Sequence, residues 1–431
     1  MNRVSIIAAG DVFMTRRLPG TAYPGERELT RLLVGYDVRF ANLEVTVHDR
    51  EGYPGAVSGG TWAMAHPRIL DDLSRYGFNI YNAANNHAMD YSHNGLLATM
   101  KYLRGADMPF AGIGANLADA SAPVYIETPS GRVALIACVS SCPDFWRAGQ
   151  QRMDMQGRPG VNALRFGTRY HVTREHMKAL RAMAAPIAIN AQHDSMVREG
   201  FATEDKGFYR FGTLEFEEDT REFQTTSPNP TDMARITASI QEARRQADIV
   251  LVSIHAHETS SDNKELPAEF LQTFAHTCID AGAHAILGHG PHILRGMELY
   301  HGGAIFYSLG NFLFENDTTT HQPADFYSKY GLSENAFVGE GMDTRSKQNT
   351  IGLGVDPRVW MSVLPGLVFE DGELVSITLH PIEMGYELPR YRKGLPALTD
   401  STAATESFAR LSKPFGTKII AVDGAWKTVI P

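Results

Sequence analysis

Ala285-Ile-Leu-Gly-His-Gly-Pro-His-Ile-Leu-Arg-Gly296 is the stretch on which the fold reading turns. Residues 285–287 are a short apolar run of the kind that forms a buried strand. The run stops at Gly288, and two imidazoles follow, His289 and His292, with Gly290 and Pro291 between them. Gly and Pro force a turn there and leave no bulky side chain in the way of a ligand. Open α/β sheets place their binding sites just beyond the carboxyl ends of such strands. Alone, the stretch reads equally well as a capped turn with two ordinary histidines, so the rest of the chain has to decide.

Working outward, the same pattern recurs. Residues 4–9 are an apolar run that ends at Gly10-Asp11. Asp11 is either a metal ligand or a cap for the following turn, where Asp is common. A second strand leads into Asn42-Leu43-Glu44, and a third, from residue 77, ends in Asn85-Asn86-His87-Ala-Met-Asp90-Tyr91. Asn is a poor strand and helix former but a good oxygen donor at unusual backbone angles. The run Ile249-Val-Leu-Val-Ser-Ile254 is apolar on both sides, as expected for a strand covered on both faces. It ends in His255-Ala-His257-Glu258. If the strand continues, His255 and His257 point the same way.

Between these strands the periodicity predicts helices at 26–33, 66–76, 94–104, 172–184, 230–247 and 265–281. Hairpins are expected at 123–128 with 132–141, at 297–301 with 303–309, and at 365–369 with 374–381, the last around Asp371-Gly372. Residues 186–194 read as one more strand. The Gly-rich segment 50–62 reads as a loop, and 142–170, 196–228 and 315–360 read as excursions without clear period. Long loops of that kind are usually functional. The expected organisation is one domain over residues 1–386 and a tail, 387–431, packed on it. Alternating strands and helices indicate α/β, with a later antiparallel contribution.

The chain of 431 residues carries a formal net charge of -9, with Lys and Arg scattered. No basic stripe points to nucleic acid, and no segment is long and apolar enough to predict a membrane span. The N-terminus enters a strand directly, without a signal-peptide pattern. The expectation is a cytoplasmic chain, or an exported one if a leader has been removed. Three cysteines at irregular spacing do not suggest a disulfide framework, and Cys138 and Cys142 read as small core residues near a strand end.

Five strands thus end in metal-capable clusters: Asp11; Asn42 and Glu44; Asn86, His87 and Asp90; His255, His257 and Glu258; His289 and His292. As core histidines, each would need its own buried partner. Mixed carboxylate, amide and imidazole donors suit Mn, Fe or Zn and not a thiolate site. One or two divalent ions sharing a carboxylate would suit hydrolysis by an activated water.

Gly10-Asp11, Ala41-Asn-Leu-Glu44, Ala84-Asn-Asn-His-Ala-Met-Asp90, Ser253-Ile-His255 with Glu258, Gly288-His-Gly-Pro-His292 and Tyr307-Ser-Leu-Gly-Asn-Phe312 together resemble the CapA family of bacterial poly-γ-glutamate capsule synthesis proteins, in order from residue 4 to about 383. That family is similar to the calcineurin-like metallophosphoesterases, so the resemblance implies a two-sheet αββα sandwich. It implies metal ligation by Asp11, Glu44, Asn86, His255, His289 and His292. It also implies a catalytic role for His87 at the leaving atom, with Asp90 orienting it. Asn42, Glu258, Arg295 and Asn311 are then expected to face substrate. Two departures stand out. The phosphoesterase Asp-x-His becomes Asp11-Val-Phe13, and the family's Trp-Gly after the first histidine becomes Ala256-His257, which makes His257 a candidate for the missing ligand.

The resemblance implies a metal-dependent hydrolase acting on a γ-glutamyl-like amide or a phosphoester, with a small molecule or polymer as substrate. It also permits a non-catalytic polymer-binding or assembly component of capsule synthesis. A purely structural metal site is the weakest reading, because such sites are mostly cysteine. Substrate, metal and oligomeric state are not legible.

Overall fold

The computed structural model describes residues 2–422 and 424–430. Two sheets lie face to face. The larger runs, from edge to edge, through Ile419–Val422, Ala425–Thr428, Glu373–Glu383, Met361–Glu370, Arg3–Phe13, Val38–Leu43, Ile80–Asn82 and Phe110–Ala111. The six-stranded sheet runs Leu294–Tyr300, Gly303–Leu309, Ala285–His289, Ile249–His255, Gly131–Val139, Val124–Thr128. Val4, Ile6, Ala8, Val38 and Phe40 of the first sheet share a buried cluster with Val133, Leu135, Ile249, Leu251, Ala285 and Leu287 of the second. That shared cluster is the core between the sheets.

The outer faces are covered by helices. Val250, Val252, Ile254 and Ile286 pack against Ile236, Ile240, Phe270 and Phe274 of the helices Pro230–Gln246 and Glu269–Asp280. Both parities of the 249–254 run are therefore buried, which is why it shows no polar alternation. On the other side Ile7, Ala9 and Ala41 pack against Leu29, Leu33, Leu73 and Leu103. The protein is an α/β two-sheet αββα sandwich, and no helix among the described residues is long and apolar enough to cross a membrane.

The central strands are parallel: Arg3–Phe13, Val38–Leu43, Ile80–Asn82 and Phe110–Ala111 in one sheet, and Gly131–Val139, Ile249–His255 and Ala285–His289 in the other. Because neighbouring strands run the same way, their carboxyl ends lie at one rim of each sheet.

Some local expectations give way. Residues 186–194 are not a strand: they are a turn followed by the helix Ala191–Arg198, with Ile187 60% exposed. A short apolar run cannot show by its period whether it pairs or faces solvent. Residues 196–228, read as aperiodic, hold the strands Tyr209–Phe211, Leu214–Glu218 and Phe223–Pro228, which join Phe166–Val172 in a separate four-stranded sheet. The 315–360 excursion contains the short helices Ala324–Lys329 and Val338–Arg345. Residues 387–431 supply the strands Ala397–Leu398, Ile419–Val422 and Ala425–Thr428 to the larger sheet, with the helix Ala403–Ser412 packed beneath through Phe408 and Leu411.

Candidate metal centre

Two rows of polar residues face one another at the open rim. In the larger sheet Asn311, Asp11, Asn42 and Asn82 are lateral neighbours on four adjacent parallel strands. In the facing sheet His255 and His289 are direct partners in parallel register. Adjacent strands lie about 4.8 Å apart, so register alone brings these two imidazoles together. The rows meet where Asn42 Nδ2 lies 3.3 Å from His255 Nδ1 and Asn82 Nδ2 lies 3.2 Å from His289 Nε2.

Asp11 reaches the inner face through a bulge. Ala8 pairs with Phe40 and Asp11 with Asn42, so three steps on one strand match two on its neighbour. Ile7 and Ala9 point outward, and unbroken alternation would have sent Asp11 outward with them. The extra residue turns it inward. Gly10 permits this: a Cβ there would collide with the carbonyl of Gly310, which accepts from Asp11 N at 2.9 Å. Asp11 is then held by Asn42 Nδ2 at 2.7 Å and by Gly290 N at 3.1 Å.

His255 Nδ1 and His289 Nδ1 stand 3.0 Å apart, with Asp11 Oδ1 at 3.8 and 3.5 Å. On its other edge His255 Nε2 is 3.2 Å from His257 Nε2 and 3.7 Å from Glu44 Oε1. His292 Nε2 is 3.9 Å from that same oxygen. The donors form two triads, Asp11 with His255 and His289, and Glu44 with His257 and His292. His292 adopts a left-handed backbone with φ 61°, a strained conformation for a non-glycine residue, and its Nδ1 lies 2.9 Å from Asn311 Oδ1.

The electrostatics are unbalanced. Both carboxylate oxygens of Glu44 and the Oδ1 of Asn86 are buried with no hydrogen-bond partner among the described residues. Burial, reinforced by the carboxylates of Asp11 and Asp90, pushes the Glu44 carboxyl well above its ordinary range. Burial pushes His255 and His257 well down, reinforced by their imidazole neighbours, and takes His289 to about 4. Neutral imidazoles beside unsatisfied carboxylate oxygens are a cation-ready set, since ligation needs the unprotonated ring and the charge needs a counter-ion. The residues therefore fit a divalent metal.

Behind the donors sits a supporting layer. Ser253 Oγ lies 2.7 Å from His289 Nε2, and Asn82 Nδ2 donates to Asn42 Oδ1 at 2.7 Å. Such contacts fix which ring nitrogen faces inward. Read from the sequence, Ser253 is only part of a motif and Asn82 has no role. The signal was present: Ser253 is the one small hydroxyl within the apolar run 249–254, and Asn82 is a polar residue at the carboxyl end of Ile80–Asn82. Asn85 donates to Leu43 O at 2.7 Å and accepts from His87 N at 3.1 Å, so it clamps the turn instead of joining the donor triads.

His87 lies across the centre, its Nε2 3.8 Å from Glu44 Oε1. Its Nδ1 donates to Asp90 Oδ2 at 2.6 Å. Asp90 also accepts from the backbone N–H of Gly59 at 3.1 Å and of Ala63 at 2.7 Å. The Gly-rich segment 50–62 is thereby drawn over His87, close enough that a Cβ on Gly59 would meet the imidazole. That segment is tied in turn to the 315–360 excursion, where Thr61 Oγ1 donates to Asn316 Oδ1 at 2.8 Å.

Two residues expected to face substrate are otherwise engaged. Glu258 accepts from the Ser140 and Ser141 hydroxyls at 2.7 and 2.9 Å. Arg295 is fully buried and donates to the carbonyls of Lys264, Ala256 and His257, holding the turn that carries His257. Asn42 and Asn311 stand beside the donors, on Asp11 and His292.

The family model described as bacterial capsule synthesis protein PGA_cap matches residues 5–316. An uncharacterized protein of Sinorhizobium fredii is 34% identical over 97% of this chain and 91% of its own length. The capsule biosynthesis protein CapA of Bacillus anthracis is 25% identical over 74% of this chain, which spans 61% of that protein. A probable polyglutamine synthesis accessory protein of Mycobacterium tuberculosis is 23% identical over 92% of this chain and 77% of its own.

Proposed function

This chain belongs to the bacterial capsule synthesis PGA_cap family, and from that premise we propose that it is a metal-dependent hydrolase of the CapA type. Its substrate would be a γ-glutamyl-like amide or a phosphoester connected with poly-γ-glutamate or capsule metabolism. One observation carries the reading: two donor triads meet at the rim of the sandwich around carboxylate oxygens of Glu44 that have no protein partner.

Asp11, His255 and His289 would hold one divalent ion, and Glu44, His257 and His292, with Asn86 Oδ1 beside them, would hold a second; Mn, Fe and Zn all suit this donor set. A bound ion supplies charge that polarises the scissile bond and makes water acidic enough to attack at neutral pH. The remaining work falls to the chain. Asp90 fixes the orientation of the His87 ring through Nδ1, which leaves Nε2 aimed to deliver a proton to the leaving atom. The segment 50–62 shields that imidazole from bulk water. Asn42 and Asn311 hold Asp11 and His292 in place.

The test is one preparation. Bound metal is measured by elemental analysis, and phosphomonoester, phosphodiester and γ-glutamyl substrates are assayed with wild type and His87→Ala. Bound metal with no His87-dependent turnover on any of them would favour the second reading, a non-catalytic polymer-binding or assembly component, to which the accessory role in a relative's name points.

A further inference from the structure

We propose, resting on the two-ion reading, that Arg295 and Ser141 are positioning residues for the second ion: they aim His257 into the centre, and a chain without that grip holds one ion instead of two. The two triads are mounted differently. Asp11, His255 and His289 lie inside paired strands, Asp11 beside Asn42 and His255 beside His289, so the sheet ladders fix them. Glu44, His257 and His292 lie past strand ends, since Val38–Leu43, Ile249–His255 and Ala285–His289 stop before them. Donors on strands are held more precisely than donors on loops, so the second triad needs support from elsewhere.

His257 shows where that support comes from. The strand is over at His255, so alternation no longer sets the direction of His257, yet its Nε2 stands 3.2 Å from His255 Nε2. Side chains grip its backbone on both sides. Its N–H donates to Ser141 Oγ at 2.7 Å, and its carbonyl accepts from Arg295 Nη2 at 3.0 Å. Arg295 Nε donates to Lys264 O at 2.9 Å and Nη1 to Ala256 O at 3.4 Å. All three nitrogens of one guanidinium are thus spent on carbonyls of a single loop, a task for a planar fork of donors.

The grip is itself anchored. The Ser141 hydroxyl donates to Glu258 Oε1 at 2.9 Å, and Glu258 Oε2 accepts from Ser140 Oγ at 2.7 Å. Gly290, at φ 122°, leaves room for the turn: a Cβ there would stand 3.0 Å from Ala256 N, which donates to His289 O at 2.9 Å. Arg295 is fully buried, and burying a charge is costly. Its positive charge also opposes a nearby cation, so what it gives the second ion is geometry.

Metal uptake tests this without any substrate. The probe is Mn²⁺, titrated into chelator-stripped full-length protein, with bound metal counted by elemental analysis after dialysis. Wild type should take up two ions in two steps, the tighter belonging to Asp11, His255 and His289. Ser141→Ala should weaken the second step about 10–100-fold and leave the first within about threefold. Ser141→Thr, which keeps the hydroxyl, should bring the second step back to within about threefold of wild type. Arg295→Met should weaken the second step at least as much as Ser141→Ala. Placed on His257→Ala, Ser141→Ala should add less than about twofold, because no ring is left to aim. A purely structural role would persist in that background. With two ions in wild type, an unchanged or tighter second step in Ser141→Ala, equal loss of both steps, or full additivity with His257→Ala would each overturn the positioning role alone. Wild type holding fewer than two ions would sink the two-ion reading, and the positioning role with it.

Discussion

His87 Nδ1 lies 2.6 Å from Asp90 Oδ2, and the same carboxylate holds the backbone of Gly59 and Ala63. One buried acid thus orients the imidazole and fastens the loop that covers it. His87→Ala should lower turnover about 10²–10⁴-fold without changing bound metal. Asp90→Asn should lower turnover by less than that, because the ring keeps a hydrogen-bonding neighbour but loses the carboxylate that fixes its orientation. Turnover equal to wild type in Asp90→Asn, read by steady-state assay, would deny the pairing a functional role.

Glu44 supplies two buried oxygens without partners. Glu44→Gln removes the charge while nearly keeping the shape, and metal affinity should fall at least about tenfold. In the metal-free protein the same change should raise the melting temperature, because a carboxyl beside Asp11 and Asp90 destabilises the fold without a cation. Elemental analysis and thermal melts with and without chelator check both signs.

Gly10 faces the Gly310 carbonyl so closely that no Cβ fits. Gly10→Ala should cost about 3 kcal/mol of stability, read by denaturant unfolding. It should also weaken metal binding, since the bulge that aims Asp11 must shift.

His48 and His284 are buried outside the centre, and burial lowers each to about 4 from 6.5. A folded-state pKa below the unfolded value means the unfolded chain binds the extra proton. Their neutral-state stability is therefore intact above pH 6.5 and is lost as pH falls toward 4. Each ring steepens the loss by about 1.4 kcal/mol per pH unit in that window. Neither ring nitrogen of His48 has a hydrogen-bond partner among the described residues, so His48→Leu should flatten the acid limb of a stability–pH curve without harm at pH 7.

The residues that converge at the candidate centre could be picked out from the sequence because each follows a strand that its own composition declares. The 249–254 run needed no partner to announce burial on both faces, and Gly288-His289-Gly290-Pro291-His292 needed none to announce a turn bearing imidazoles. The strand proposed at 186–194 failed for the opposite reason, since whether a short apolar run is covered depends on the other side of the contact. The strands within 196–228 were equally hidden, because their faces are only half-buried and their alternation correspondingly weak.

What the sequence determined by itself is the list of strand ends and the donor type at each, because periodicity and turn chemistry are local. What only the tertiary structure decided is who faces whom: the bulge that turns Asp11 inward, the register that sets His255 beside His289, the carbonyls that claim Arg295, and the seryl hydroxyls that claim Glu258. Those depend on strands distant in the chain coming within hydrogen-bonding distance. A register shift of one residue would send the same donors to the opposite face without changing a letter of the sequence.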